Sequence, residues 1–405
     1  MADAKSRSGV SPRIPRTVWA LGLVSLLMDI SSESIHALLP LFLTATLGVS
    51  VATVGLIDGI AEATASISKV FSGYISDRIG RRKPLILLGY GLGAITKPLF
   101  AMAGSAPVVL GARFADRIGK GLRGAPRDAL VADVTPEAIR GRAFGLRQSL
   151  DTIGAFIGPL LAIVLMAAFA NDIRLVFWVA VIPAALAVVC VIVGVQDASD
   201  TGSAKPSRPP IVLADIKQFK GPFWVVVAVG VIFTLARFSE AFLVLKASAE
   251  GLPLTFAPIV LVVMNAVYAL GAFPAGIVSD RHSARVLLGW GLVCLVMADL
   301  ILALIPGLVA AFAGIALWGL HMALTQGLMA KLVADHAPEN MRGSAFGLFN
   351  LATGITMLAA SVVAGLLWDQ FGMGATFAAG AAFAGGALIL LVVAPRTPSK
   401  LSPVP

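Results

Sequence analysis

RFADRIGKGLRGAPRDALVAD, residues 113–133, places Arg113, Asp116, Arg117, Lys120, Arg123, Arg127 and Asp128 inside an apolar segment that begins near Pro107. Arg113, Asp116, Arg117, Lys120 and Arg127 follow the i, i+3, i+4, i+7, i+14 spacing that keeps side chains on one face of a helix. One such charge near a bilayer centre costs roughly 2.5–3.5 kcal/mol on insertion scales, so several facing lipid unpaired would cost on the order of 10 kcal/mol. The stripe must face a water-filled cavity, partner charges, or both.

The rest of the chain shows why a bilayer is the relevant solvent. Its 405 residues are 58% hydrophobic and only 13% charged, well beyond the roughly 45–50% apolar content of soluble domains. Apolar segments near 17–47, 51–75, 84–103, 107–131, 143–169 and 175–194 make six spans. A polar stretch rich in Ser and Pro follows, and six more spans lie near 222–246, 254–278, 286–305, 309–333, 344–368 and 375–393. The expected domains are a cytoplasmic leader (1–16), an N-terminal six-helix bundle (17–195), a cytoplasmic linker (196–221), a C-terminal six-helix bundle (222–394) and a cytoplasmic tail (395–405). Threading twelve spans puts most loop Lys and Arg, including Arg78, Arg81, Arg82, Lys83, Arg140, Arg142 and Arg342, on the side of the N-terminus. The positive-inside rule then makes both termini cytoplasmic in a multi-pass bacterial inner-membrane protein. It also accounts for the net charge of +9 without nucleic acid. Cys190 and Cys294 both sit in apolar segments and give no disulfide framework or metal cluster. The four histidines are scattered, with no metal-ligand spacing.

The two halves repeat one another. Gly73-Tyr-Ile-Ser-Asp77-Arg78 is answered by Gly276-Ile-Val-Ser-Asp280-Arg281, and the run from Leu130 through Asp133 to Gly145 by the run from Leu332 through Asp335 to Gly347. Two polar sites repeating at nearly the same offset indicate a duplicated six-span unit. Six spans per repeat give both repeats one orientation, as around a pseudo-twofold along the membrane normal.

Gly73-x-x-x-Asp77-Arg78-x-Gly80-Arg81-Arg82 resembles the loop signature between spans two and three of the major facilitator superfamily, with a degenerate copy at 276–285. The resemblance implies an all-α membrane protein with twelve transmembrane helices in two pseudo-symmetric six-helix bundles, similar to an antiporter or efflux-like bacterial permease. It also implies a conformational latch from Gly73, Asp77, Arg78, Gly80, Arg81, Asp133, Asp280, Arg281 and Asp335. In it Asp77 braces the N-terminus of helix eleven, and Arg81 pairs with Asp133. Arg117-x-x-Lys120-Gly121-x-Arg123-Gly124 is similar to the family's helix-four motif, made more basic by Lys120 and Arg123. Gly145, Gly154, Gly158 and Pro159 keep the spacing of a helix-five motif associated with antiporters, although its closing Gly pair is Ala162-Ile163 here.

The first span supplies acids for the basic stripe, with Asp29, Glu33 and His36 on one face, and the second adds Asp58 and Glu62. The expected solute contacts are Arg113, Arg117, Lys120, Glu33, Arg237, His321 and Gln326. The expected proton-coupling acids are Asp29, Glu33, Asp58, Glu62 and Asp116. Asp29 and Glu33 lead, because no basic residue of their own helix is expected to satisfy them. The function expected is secondary active transport by a monomer, driven by the proton gradient with no cofactor, since no Walker-type loop is present. Proton-coupled export (antiport) of a small organic solute is favoured, an anion by the basic stripe. Uptake of an organic anion by proton symport is the alternative. A non-transporting sensor or assembly partner is the reading from another class, and no nucleophile with its base supports an enzyme.

Overall fold

The computed structural model describes residues 13–79, 81–197, 218–281, 283–337 and 342–393. Twelve long helices follow one another among them: α1 (Arg16–Thr46), α2 (Val51–Ile79), α3 (Lys83–Met102), α4 (Ala106–Val134), α5 (Arg140–Ala168), α6 (Ile173–Gly194), α7 (Gly221–Ala249), α8 (Ile259–Arg281), α9 (Ala284–Leu304), α10 (Leu308–His336), α11 (Arg342–Phe371) and α12 (Met373–Val393). Eleven of these contain a stretch long and apolar enough to cross a membrane. The exception is α4, whose charges defeat the hydropathy criterion although its neighbours enclose it on both sides. Most of the expected leader, linker and tail lies outside the described residues.

Two helices are interrupted along their length. α1 leaves helical geometry at 37–38, just before Pro40, and finishes in a π-turn at Phe42–Thr46; a proline without N–H breaks the ladder there. α7 breaks between Gly221–Ala236 and Ala241–Ala249, with Arg237, Phe238, Ser239 and Glu240 in the gap.

The packing repeats as the sequence does. In the first half α1 lies on α5 and α6, α4 on α2 and α3, and α3 on α6. In the second half α7 lies on α11 and α12, α10 on α8 and α9, and α9 on α12. Adding six to every helix number converts one set into the other. Between the halves the symmetry is broken: α2 packs along α11 far more extensively than its counterpart α8 packs along α5. Close approach requires glycine here, since a Cβ on Gly365 would stand 2.6 Å from the Ala52 Cα.

The halves meet at the far end, meaning the end at which α1 finishes and α2 starts. Asp369, near the end of α11, accepts the amides of Val51 at 3.1 Å and Ala52 at 2.9 Å, and Thr255 donates to the Asn171 side chain at 2.6 Å. The start of α2 is thereby fully accounted for. Asp369 takes its first two N–H groups, the Ser50 hydroxyl takes that of Thr53, and the Ser50 carbonyl takes that of Val54. A carboxylate of one half thus caps a helix of the other, where the helix dipole also favours negative charge. Removing a cap costs about 1 kcal/mol. Asp369→Ala should therefore speed hydrogen exchange of peptide 51–54 about five-fold by mass spectrometry. An unchanged rate would mean that the cap holds nothing.

Candidate functional site

The charges of α4 leave the helix in three directions. Toward α2, Arg113 donates to Asp58 at 3.3 Å, and Arg117 lies 3.4 Å from Glu62. Toward α3, Asp116 meets Lys97 at 2.8 Å, and the Arg123 guanidinium sits 4.5 Å over the Tyr90 ring. Nearer the end at which α1 begins, Arg127 lies between Ser25, Asp128 and Asp151, and Arg147 of α5 joins the same two acids at 3.6–3.7 Å. Buried ions need this degree of compensation, because desolvating a single unpaired one costs several kcal/mol.

Lys120 is different. It is exposed, and no carboxylate lies within ion-pair distance of it among the described residues. It lines a central cavity of about 260 Å³ with Glu33, Asp58, Glu62, Arg117 and the α7 break. Asn265 and Met357 complete the wall contributed by the second half. Arg113, Arg117 and Arg123 are 3%, 4% and 5% exposed, whereas Lys120 between them is open.

Of the expected solute contacts, Arg117, Lys120, Glu33 and Arg237 line the cavity, and Arg237 lies 3.4 Å from Glu240. Arg113 stands behind Asp58 instead. His321 is a correction: it is wholly buried, bonded to the Gly291 carbonyl at 2.8 Å and stacked on Phe233, away from the cavity. The Gln326 side chain lies outside the described residues. Of the acids, Asp58, Glu62 and Glu33 line the cavity, whereas Asp116 is turned away from it into the pair with Lys97. Glu33 does have a basic neighbour on its own helix, since His36 lies 3.4 Å away. Asp29 is half-buried and has no hydrogen-bond or ion-pair partner among the described residues.

Three residues were missed. Lys97 stands alone in an apolar helix, which is itself a signal of a site or a buried pair. Asp369 is an ordinary helix-end acid in sequence. Ser239 gives no hint, because its role depends on a helix break containing neither Pro nor Gly.

The helix-five glycines meet α1 at its acids. A Cβ on Gly154 would fall 3.0 Å from that of Asp29, and one on Gly158 would fall 2.9 Å from that of Glu33. Ser34 also donates to the Gly158 carbonyl at 2.8 Å. Pro159 is buried inside α5 without ending it, and Gly145 faces open space. In the latch, Asp133 pairs with Arg82 at 3.3 Å rather than with Arg81, which is exposed. The cause lies at the start of α3: Asp197 accepts the amides of Arg82 and Lys83, and the Arg82 side chain reaches Ser76 at 2.7 Å as well. Arg78 is exposed, and Gly73 faces Ala125 of α4. Gly80 and the side chains of Asp77, Asp280, Arg281 and Asp335 lie outside the described residues.

The comparisons agree with this architecture. The family model described as Major Facilitator Superfamily matches residues 21–266 and 242–405. An uncharacterised MFS-type transporter of Methanocaldococcus jannaschii is 29% identical over 361 residues, covering 88% of this chain and 89% of that protein. A probable 4-methylmuconolactone transporter of Cupriavidus pinatubonensis is 32% identical over 204 residues, 49% of this chain and 46% of that protein. The crystal structure of the nucleoside transporter NupG, as a D323A mutant, superposes with a TM-score of 0.79 at 14% identity, covering 93% of this chain and 98% of that one.

The Lys97–Asp116 pair can be tested directly. Lys97→Met or Asp116→Leu alone strands a buried charge and should cost about 3–5 kcal/mol, while the double variant Lys97→Met, Asp116→Leu should cost much less than the sum of the two. Thermal unfolding in detergent measures both. Additive losses would mean that the two side chains do not act as a pair.

Proposed function

The chain belongs to the Major Facilitator Superfamily, a family of transporters and not of enzymes, and acts in secondary transport across a membrane. From that premise we propose that it carries a small organic anion by alternating access, coupled to the proton gradient of a bacterial inner membrane. One observation carries the reading: Lys120 reaches the central cavity with no carboxylate at ion-pair distance among the described residues, while the other cations of α4 are paired, stacked or turned elsewhere. A unit charge pair at 4 Å contributes about 4 kcal/mol at an effective dielectric of 20. An anion beside Lys120 and Arg117 gains an interaction that an uncharged isostere lacks. The cavity's 260 Å³ lies just under the roughly 300–1,000 Å³ of common small-molecule sites, which favours a compact solute. The partial likeness to a probable 4-methylmuconolactone transporter points to the same size class.

Basic loops on the cytoplasmic side would turn the near end to the cytoplasm, and the far-end contacts of Asp369 with α2 and of Thr255 with Asn171 support an inward-facing reading. Asp29 is the leading proton carrier, an intramembrane acid without a fixed partner beside the Gly154 contact. Export by antiport follows from the helix-five glycines, two of which seat α5 against Asp29 and Glu33. Uptake by symport is favoured instead by the acids Glu33, Asp58, Glu62 and Glu240 interleaved with cations around one cavity, since a proton and an anion entering together leave its charge unchanged.

Equilibrium binding to purified protein, with a panel of small organic acids and their amides, tests the solute class. Lys120→Met should weaken the acids by roughly 10–100-fold, consistent with a partly screened charge pair, and leave the amides unmoved. Equal affinity for an acid in both proteins would remove Lys120 from the site. For coupling, Asp29→Asn in liposomes should retain solute exchange while abolishing the accompanying proton flux. In the unmodified protein the direction of that flux separates antiport from symport.

A further inference from the structure

Asp58 is held from both halves at once. Its Oδ1 accepts from Arg113 of α4 at 3.3 Å, and its Oδ2 accepts from the Ser239 hydroxyl, across the interface, at 2.8 Å. All three side chains are at least nine-tenths buried. The Ser239 oxygen in turn accepts the amide of Ala241 at 3.1 Å, the first residue of the outer piece of α7. That piece, 241–249, is buried through Ala247 and packs on 39–41 of α1, across the interface on the far side of the cavity. A single hydroxyl therefore ties the outer piece of α7 to the α2 acid that lines the cavity.

We propose that Ser239 is a positioning residue that links the cavity to the far-end gate. The Ser239–Asp58 bond forms the cavity floor and has to break when the halves part there. Arg113 stays with Asp58 in either state, so the acid is not left as an unpaired buried charge when the bond breaks. The freed Oδ2 and hydroxyl then face the cavity, where a solute or water satisfies them. The cap on Ala241 fixes the angle at which the outer piece of α7 leaves the break, so movement at Asp58 is passed to the plug. The inference rests on the alternating-access reading and not on the identity of the solute.

The test uses full-length protein in nanodiscs, with Cys190→Ser and Cys294→Ser, and spin labels at Thr46→Cys and Phe256→Cys, both exposed at the far end. Pulsed electron–electron distance measurements are made on this background and on Ser239→Ala and Ser239→Thr, without solute or proton gradient. Loss of a hydrogen bond to a charged group should raise the population of the longer, far-end-open distance about ten-fold in Ser239→Ala, and Ser239→Thr should restore the starting distribution. Identical distributions for Ser239→Ala and the starting background would overturn the proposal, as would a threonine variant that behaves like alanine. Should the alanine variant not fold, Ser239→Cys, a weak donor of similar size, is read by the same criteria. Since no solute is added, failure here is separable from failure of the anion reading.

Discussion

A charge inside an oily helix must be paired or wet, and the fold of this chain follows from how α4 meets that condition. Desolvating an isolated ion costs far more than a single contact returns. Arg113 and Arg117 therefore bring α2 against α4, and Asp116 brings α3 against it through Lys97. Helix packing in a membrane lacks the hydrophobic drive available in water, so these pairs and the glycine contacts do much of the fixing. Among the described residues, what the pairs of α4 leave open to the central cavity is Lys120.

The second half is built from the same packing pattern without the same charges. Where α4 has Arg117, Lys120 and Arg123, α10 has Gly319, Met322 and Thr325, and its face is closed by Trp318, Phe233 and a buried His321. Polar groups of that half reach the cavity chiefly through the interruption of α7. A broken helix exposes backbone and side chains at mid-depth that a continuous helix would spend on itself. The two copies share a scaffold and differ in what they bring to the cavity: the first half holds most of the charge, and the second presents the interruption of α7 to it.

Much of the architecture could be read from the sequence. Apolar run lengths and the repeated polar motifs at Asp77 and Asp133 led to twelve helices in two equivalent sets, and the charge spacing of α4 led to an inward-facing ridge. The site was legible where residues act along one helix, as with Arg117, Lys120, Asp58 and Glu62. It was not legible where the deciding fact is the partner across space. Asp116 was grouped with the ridge, yet a lysine on the neighbouring helix claims it. His321 looked like a solute contact because a polar residue in an apolar helix is suspicious, but the Gly291 carbonyl satisfies it within the core. Arg81 gave way to Arg82 because Asp197, more than a hundred residues later, fixes the start of α3.

Everything here depends on the ridge of α4 meeting water at Lys120 in the conformation described. Placing a cysteine at Lys120, in protein lacking Cys190 and Cys294, and treating sealed, oriented vesicles with a charged, membrane-impermeant thiol reagent measures that point directly. Labelling from the face at which α1 begins, and protection from the opposite face, is the predicted result. A cysteine that reacts from neither aqueous face, or only with a lipid-soluble reagent, would contradict the account.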